Sequence, residues 1–110
     1  MKKIKVIEVS SDTNIGGAGK CLLTLLENFD YNTFDVKVVL PKNSLLKPHI
    51  DKMNIAVIEV DGIADKSLDF AAVKELRMIF KRERPDIVHT HASMSARIAA
   101  KQAGAKVVYT

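Results

Sequence analysis

Short Val- and Ile-rich segments recur along the chain with helical patterns between them, and this alternation narrows the possible folds more than any other feature. Five segments have the composition of strands: Lys3–Val9, Phe34–Leu40, Ile55–Val60, Asp86–His89 and Lys106–Tyr109. Several carry apolar residues on consecutive positions, as in Val38-Val39-Leu40, which suits strands covered on both faces of a parallel sheet. Between them, Ala18, Leu22, Leu25 and Phe29 form one helical stripe, and Phe70, Val73, Leu76, Ile79 and Phe80 form the inward face of another. That second helix is predicted from Asp69, a suitable N-cap, to Arg84, with Pro85 as its stop. A short helix around Leu46, Ile50 and Met53 tolerates Pro48 only in its first turn. The last helix starts at Ser93 as cap and ends at Gly104, and its small residues (Ala96, Ala99, Ala100, Ala103) let its axis lie close to a sheet. Right-handed crossovers between such strands give a Rossmann-like α/β fold, a three-layer αβα sandwich with a parallel five-stranded sheet in the order 3-2-1-4-5.

Size and charge set the bounds on function. A chain of 110 residues is one domain, and 47% hydrophobic residues supply a core and exclude disorder as the default. No apolar run is long enough to cross a membrane, and Met-Lys-Lys followed by Ile4-Lys5-Val6 does not read as a signal peptide. Cys21 is the sole cysteine, which suits a reducing cytoplasm. The net charge of +4 would suit a nucleic acid, but the lysines are dispersed. The one tight basic group, Lys81-Arg82-Arg84, falls at a helix end where cations stay solvated. Aromatic residues, at 5%, are too few for a base-stacking platform. Nucleic acid is not an expected partner.

The chemistry concentrates at the first strand-to-helix turn, Asp12-Thr13-Asn14-Ile15-Gly16-Gly17-Ala18-Gly19-Lys20. Glycines there let backbone amides approach a ligand closely, and the helix N-terminus behind them favours negative charge. A phosphate-bearing ligand follows. A dinucleotide fingerprint fails, because Leu22 stands where the third glycine belongs and the second strand ends in Leu40-Pro41-Lys42 without an acid for the ribose. An ATPase-type phosphate loop fits at Gly19-Lys20 but has Asn14 for its first glycine and Cys21 for its metal-binding hydroxyl. The partition-type ATPase variant, Gly-Gly-x-Gly-Lys, is matched except that Ile15 replaces its signature lysine.

Taken with Arg84-Pro85-Asp86-Ile87-Val88-His89-Thr90-His91, the Ala-rich stretch from Ala96 to Gly104 and Val107-Val108-Tyr109-Thr110, the glycine turn resembles the N-terminal domain of retaining, nucleotide-sugar-dependent glycosyltransferases of GT-B fold, family four. The resemblance covers nearly the whole chain. It implies transfer of a sugar from a nucleotide-sugar donor to a glycan or glycolipid acceptor, without metal or other cofactor, in polysaccharide biosynthesis, in the cytoplasm or at the inner membrane surface. It also implies that the donor is held mainly by a second, C-terminal domain, while this domain binds the acceptor. Gly16 and Gly17 would face the donor diphosphate, and Asp12, Asn14, His91 and Ser93 would line the acceptor surface. None of these residues is implied to be catalytic. The family's paired glutamates belong to the second domain, so the expectation is a truncated, acceptor-side domain that is inactive alone. Its unpaired strand edges invite a homodimer. The rival readings are the partition-type ATPase and a standalone Rossmann-like binding module.

The remaining candidates have plainer readings. His89 and His91 are two apart on a strand and so share a face. The spacing is one that metal sites use, but it needs a third ligand, and the sequence puts neither His49 nor Asp65 near it. His89 is therefore expected to pack at the top of the sheet on a backbone partner, with His91 further out. Asp12 and Asn14 also suit plain turn chemistry, Lys20 a solvated position, and Cys21 a small core position on the first helix.

Overall fold

The computed structural model describes residues 2–11, 13, 15–61, 63, 70–91 and 93–109. Five strands alternate with four helices: β1 (Ile4–Ser10), α1 (Gly17–Asn28), β2 (Phe34–Pro41), α2 (Lys47–Asp51), β3 (Ala56–Val60), α3 (Phe70–Glu83), β4 (Ile87–His91), α4 (Met94–Gln102) and β5 (Lys106–Tyr109). All pairings are parallel and the sheet order is β3-β2-β1-β4-β5, as the sequence implies. Strand ends run one or two residues further toward the carboxyl edge than composition suggests, since Ser10, Pro41 and Thr90-His91 still pair with neighbours.

The side-chain period of two divides the core into two layers. Val6, Val36, Val38 and Leu40 meet Leu22 and Leu26 of α1 and Leu46 and Ile50 around α2 on one face. Ile7, Val9, Val39, Val60 and Val88 meet α3 and α4 on the other. Ala96, Ala99 and Ala100 are fully buried, so α4 does lie close against the sheet. Pro48 occupies the first turn of α2, where its missing N–H costs no hydrogen bond. Arg84 takes a left-handed φ of 50° just past α3, and Pro85 follows. Gly104, at φ 80°, turns the chain out of α4.

Two expectations about side chains fail. Phe70 is 77% exposed, because at about 100° per residue it falls off the buried stripe, while Ala72 in the same turn is buried; Val73, Leu76, Ile79 and Phe80 are buried as expected. Cys21 is exposed rather than in the core. It precedes Leu22 on α1, and one residue turns the helix about 100° away from the buried stripe. Asp12, Asn14, Asp65 and Asp69 lie outside the described residues, as does the side chain of Ala18. No helix among the described residues is long and apolar enough to cross a membrane.

Candidate functional site

The connections place one special location on this sheet. β1 and β4 are neighbours, yet α1 leaves β1 onto one face while α4 leaves β4 onto the other. At such a switch point, ligands of parallel sheets bind in the crevice above the carboxyl ends of the two strands.

Gly16 is the N-cap of α1, with φ −98° and ψ −164°, and among the described residues no side chain caps the helix. The amide of Lys20 is the first with an intrahelical partner, the Gly16 carbonyl at 2.9 Å. The amides of the first turn, those of Gly17 and Gly19 among them, therefore have no carbonyl within the helix. The first turn holds no acidic residue, and Lys20 stands exposed on it. Gly16 and Gly17 are both exposed, and a Cβ on either would meet nothing within 4 Å. Neither has a positive φ, so this chain's own conformation and packing do not call for glycine at 16 or 17.

On the far side of the crevice, Ser93 caps α4, its Oγ accepting the Ala96 amide at 3.2 Å, and the residue is buried. The cap is the one the sequence implies. The hydroxyl oxygen is thus engaged by the helix.

The histidines are arranged differently from expectation. Glu8 of β1 is the Cα partner of His89 on β4, and Ser10 is the partner of His91. Glu8, His89 and His91 consequently share one face of the sheet. Glu8 Oε1 lies 3.0 Å from His89 Nδ1 and 2.7 Å from His91 Nε2, with Glu8 only 1% exposed. His89 therefore meets a carboxylate, and His91 is the more buried of the two rings, at 7% against 19%. His91 stands one pleat beyond Glu8, so its ring leans back along the strand onto the carboxylate instead of reaching over the rim. The ring centroids are 4.2 Å apart and tilted by 41°. The donor atoms of all three residues lie within 4.8 Å of one another, close enough to converge on one metal ion. Glu8 is the residue that sequence reasoning missed. Its signal was a carboxylate between Ile7 and Val9, at a position that alternation turns toward a buried face.

Comparison with known proteins follows this geometry. Three similar solved structures, each below a quarter identity, show the fold. Acinetobacter baumannii MurG matches with a TM-score of 0.77 at 15% identity, over 96% of this chain and 34% of that one. A glycosyltransferase from Rickettsia africae ESF-5 gives 0.77 at 20% identity, over 99% and 30%. UDP-GlcNAc 2-epimerase from Neisseria meningitidis, in a structure bound to UDP-GlcNAc, gives 0.62 at 20% identity, over 96% and 31%. The chain thus spans about a third of the length of these proteins. No curated protein sequence matches significantly. The model of the family Glycosyltransferase Family 4 matches residues 15–110, from the glycine turn to the final strand. The chain belongs to glycosyltransferase family 4.

Proposed function

We propose that this domain is the acceptor-side, N-terminal lobe of a glycosyltransferase that moves a sugar from a nucleotide-sugar donor to a glycan or glycolipid, and that Gly16 and Gly17 address the donor diphosphate. The observation that carries the reading is the exposed start of α1, where two glycines leave room that no described side chain fills. Amides and the helix dipole aimed into that room favour the charge that develops on a leaving diphosphate. The acceptor lies over the turns after β1 and β4, bounded by Asp12, Asn14, His91 and Ser93. With Nε2 of His91 on Glu8 and Oγ of Ser93 at the α4 cap, these two shape the rim more than they offer free polar atoms.

A second lobe completes the donor site, so this chain alone binds nucleotide weakly and transfers no sugar. The lone Cys21 is consistent with a cytoplasmic setting, which we extend to the inner membrane surface when the acceptor is a glycolipid.

Amide NMR of the chain titrated with UDP tests the reading. Shifts centred on Gly16, Gly17 and Gly19 without added Mg²⁺ support it. Shifts confined to the opposite, amino-terminal edge of the sheet contradict it. Tight binding that requires Mg²⁺ and ATP supports the partition-type ATPase instead.

A further inference from the structure

The Glu8–His89–His91 cluster has a second possible occupant besides its own hydrogen bonds. We propose that these three side chains form a metal site of the zinc class, with two imidazole nitrogens and one carboxylate oxygen as ligands. The proposal stands on this cluster alone and is independent of the transferase reading.

The cluster is preorganised by the sheet. Parallel pairing puts Glu8 directly across from His89, and the strand period brings His91 onto the same face. All three donors therefore sit on two hydrogen-bonded strands, not on loops. A tetrahedral metal with bonds of about 2.0–2.1 Å separates its ligand atoms by roughly 3.3 Å. The present separations of 3.0 Å and 2.7 Å from Glu8 Oε1 need to open by only a few tenths of an ångström. His89 Nδ1 and His91 Nε2 both lie close to that oxygen, and the three ligand atoms are all within 4.8 Å of one another, so small side-chain rotations let one ion between them meet all three.

Charge favours the same conclusion. Glu8 is 1% exposed, and among the described residues its ion-pair partners are the two histidines, with no lysine or arginine beside it. A carboxylate held out of water is costly without a counter-ion. A divalent cation supplies one. Two imidazoles and a carboxylate select Zn²⁺ or its neighbours over Mg²⁺ or Ca²⁺, which prefer all-oxygen sites. Three protein ligands leave a fourth position open, on the side where His89 reaches solvent.

The test uses the whole chain after removal of metals by chelation, titrated with Co²⁺ in a non-coordinating buffer. The expected result is visible ligand-field bands that saturate at one equivalent and are bleached by one equivalent of Zn²⁺. In parallel, Zn²⁺ should move the imidazole ¹⁵N signals of His89 and His91 and leave His49, the third histidine, in place. Glu8→Gln should weaken Zn²⁺ binding at least about tenfold. Should that variant fail to fold, the imidazole signals of the unsubstituted chain decide the matter. Unmoved His89 and His91 signals at excess Zn²⁺, or Co²⁺ bands that persist in His89→Asn/His91→Asn, overturn the proposal.

Discussion

Glu8 and His89 face each other across the β1–β4 ladder, and the carboxylate oxygen that meets His89 also meets His91. One buried acid thus ties together the two strands whose helices leave onto opposite faces of the sheet. Truncation to Ala would leave two imidazoles with a polar nitrogen facing an apolar gap, a loss of about 2–3 kcal/mol. Urea unfolding of Glu8→Ala should show that loss. An unchanged midpoint would mean that the three residues are not coupled as the structure has them.

Two faces of α3 separate packing from exposure. Leu76 is fully buried against the sheet, and Leu76→Ala should cost about 3 kcal/mol in chemical unfolding. Phe70→Ser, at a position 77% exposed, should stay within roughly 0.5 kcal/mol of the parent. A large loss at Phe70 would show that its side chain packs inward after all.

Ser93 supplies the N-cap of α4 through the Ala96 amide. Ser93→Ala should destabilise by about 1 kcal/mol, and Ser93→Asp, which preserves the cap, should restore most of it. Thermal unfolding of the two variants measures this. Equal losses in both would assign Ser93 a role other than capping.

At the opposite edge of the sheet Lys37 of β2 donates to Glu83 at the end of α3, and Arg82 Nε lies 3.2 Å from the other oxygen. The hydrogen bond from Lys37 holds the Glu83 carboxyl below its ordinary value, against the opposing effect of burial. A carboxyl depressed on folding stabilises the protein above its unfolded value, roughly 4.3, and that contribution disappears as the pH falls through the lowered value. Because Lys37 is partly solvated, the pair contributes about 1 kcal/mol at neutral pH. Glu83→Gln should therefore lose about that much at pH 7 and converge with the parent in strong acid. A difference that persists unchanged at low pH would contradict the assignment.

Much of this fold is legible in the sequence because its determinants are local. Consecutive apolar residues such as Val38-Val39-Leu40 mark strands buried on both faces, Ser93 and Pro85 mark helix ends, and alternation of strand and helix fixes the crossovers. The glycine turn was legible for the same reason, since strand, turn and helix are contiguous. What the sequence hid is lateral. Which residue of β1 stands beside His89 depends on a register between segments some eighty positions apart, so Glu8 did not present itself as the partner of the His-x-His pair. The same register explains why His91, although nearer the carboxyl end, is the deeper ring. Phe70 and Cys21 lie outside the buried faces because the helical turn of about 100° per residue carries them off the apolar stripes.

The most direct test of the central claim is the UDP affinity of Gly17→Val beside that of the parent chain. A Cβ at 17 meets nothing within 4 Å, so the variant should keep its fold by circular dichroism. It should also lose the amide shifts at Gly16 and Gly19 and bind at least about tenfold more weakly, a change of about 1.4 kcal/mol. A folded Gly17→Val that binds UDP as the parent does, with the same shifts, would contradict the assignment of this turn to the diphosphate.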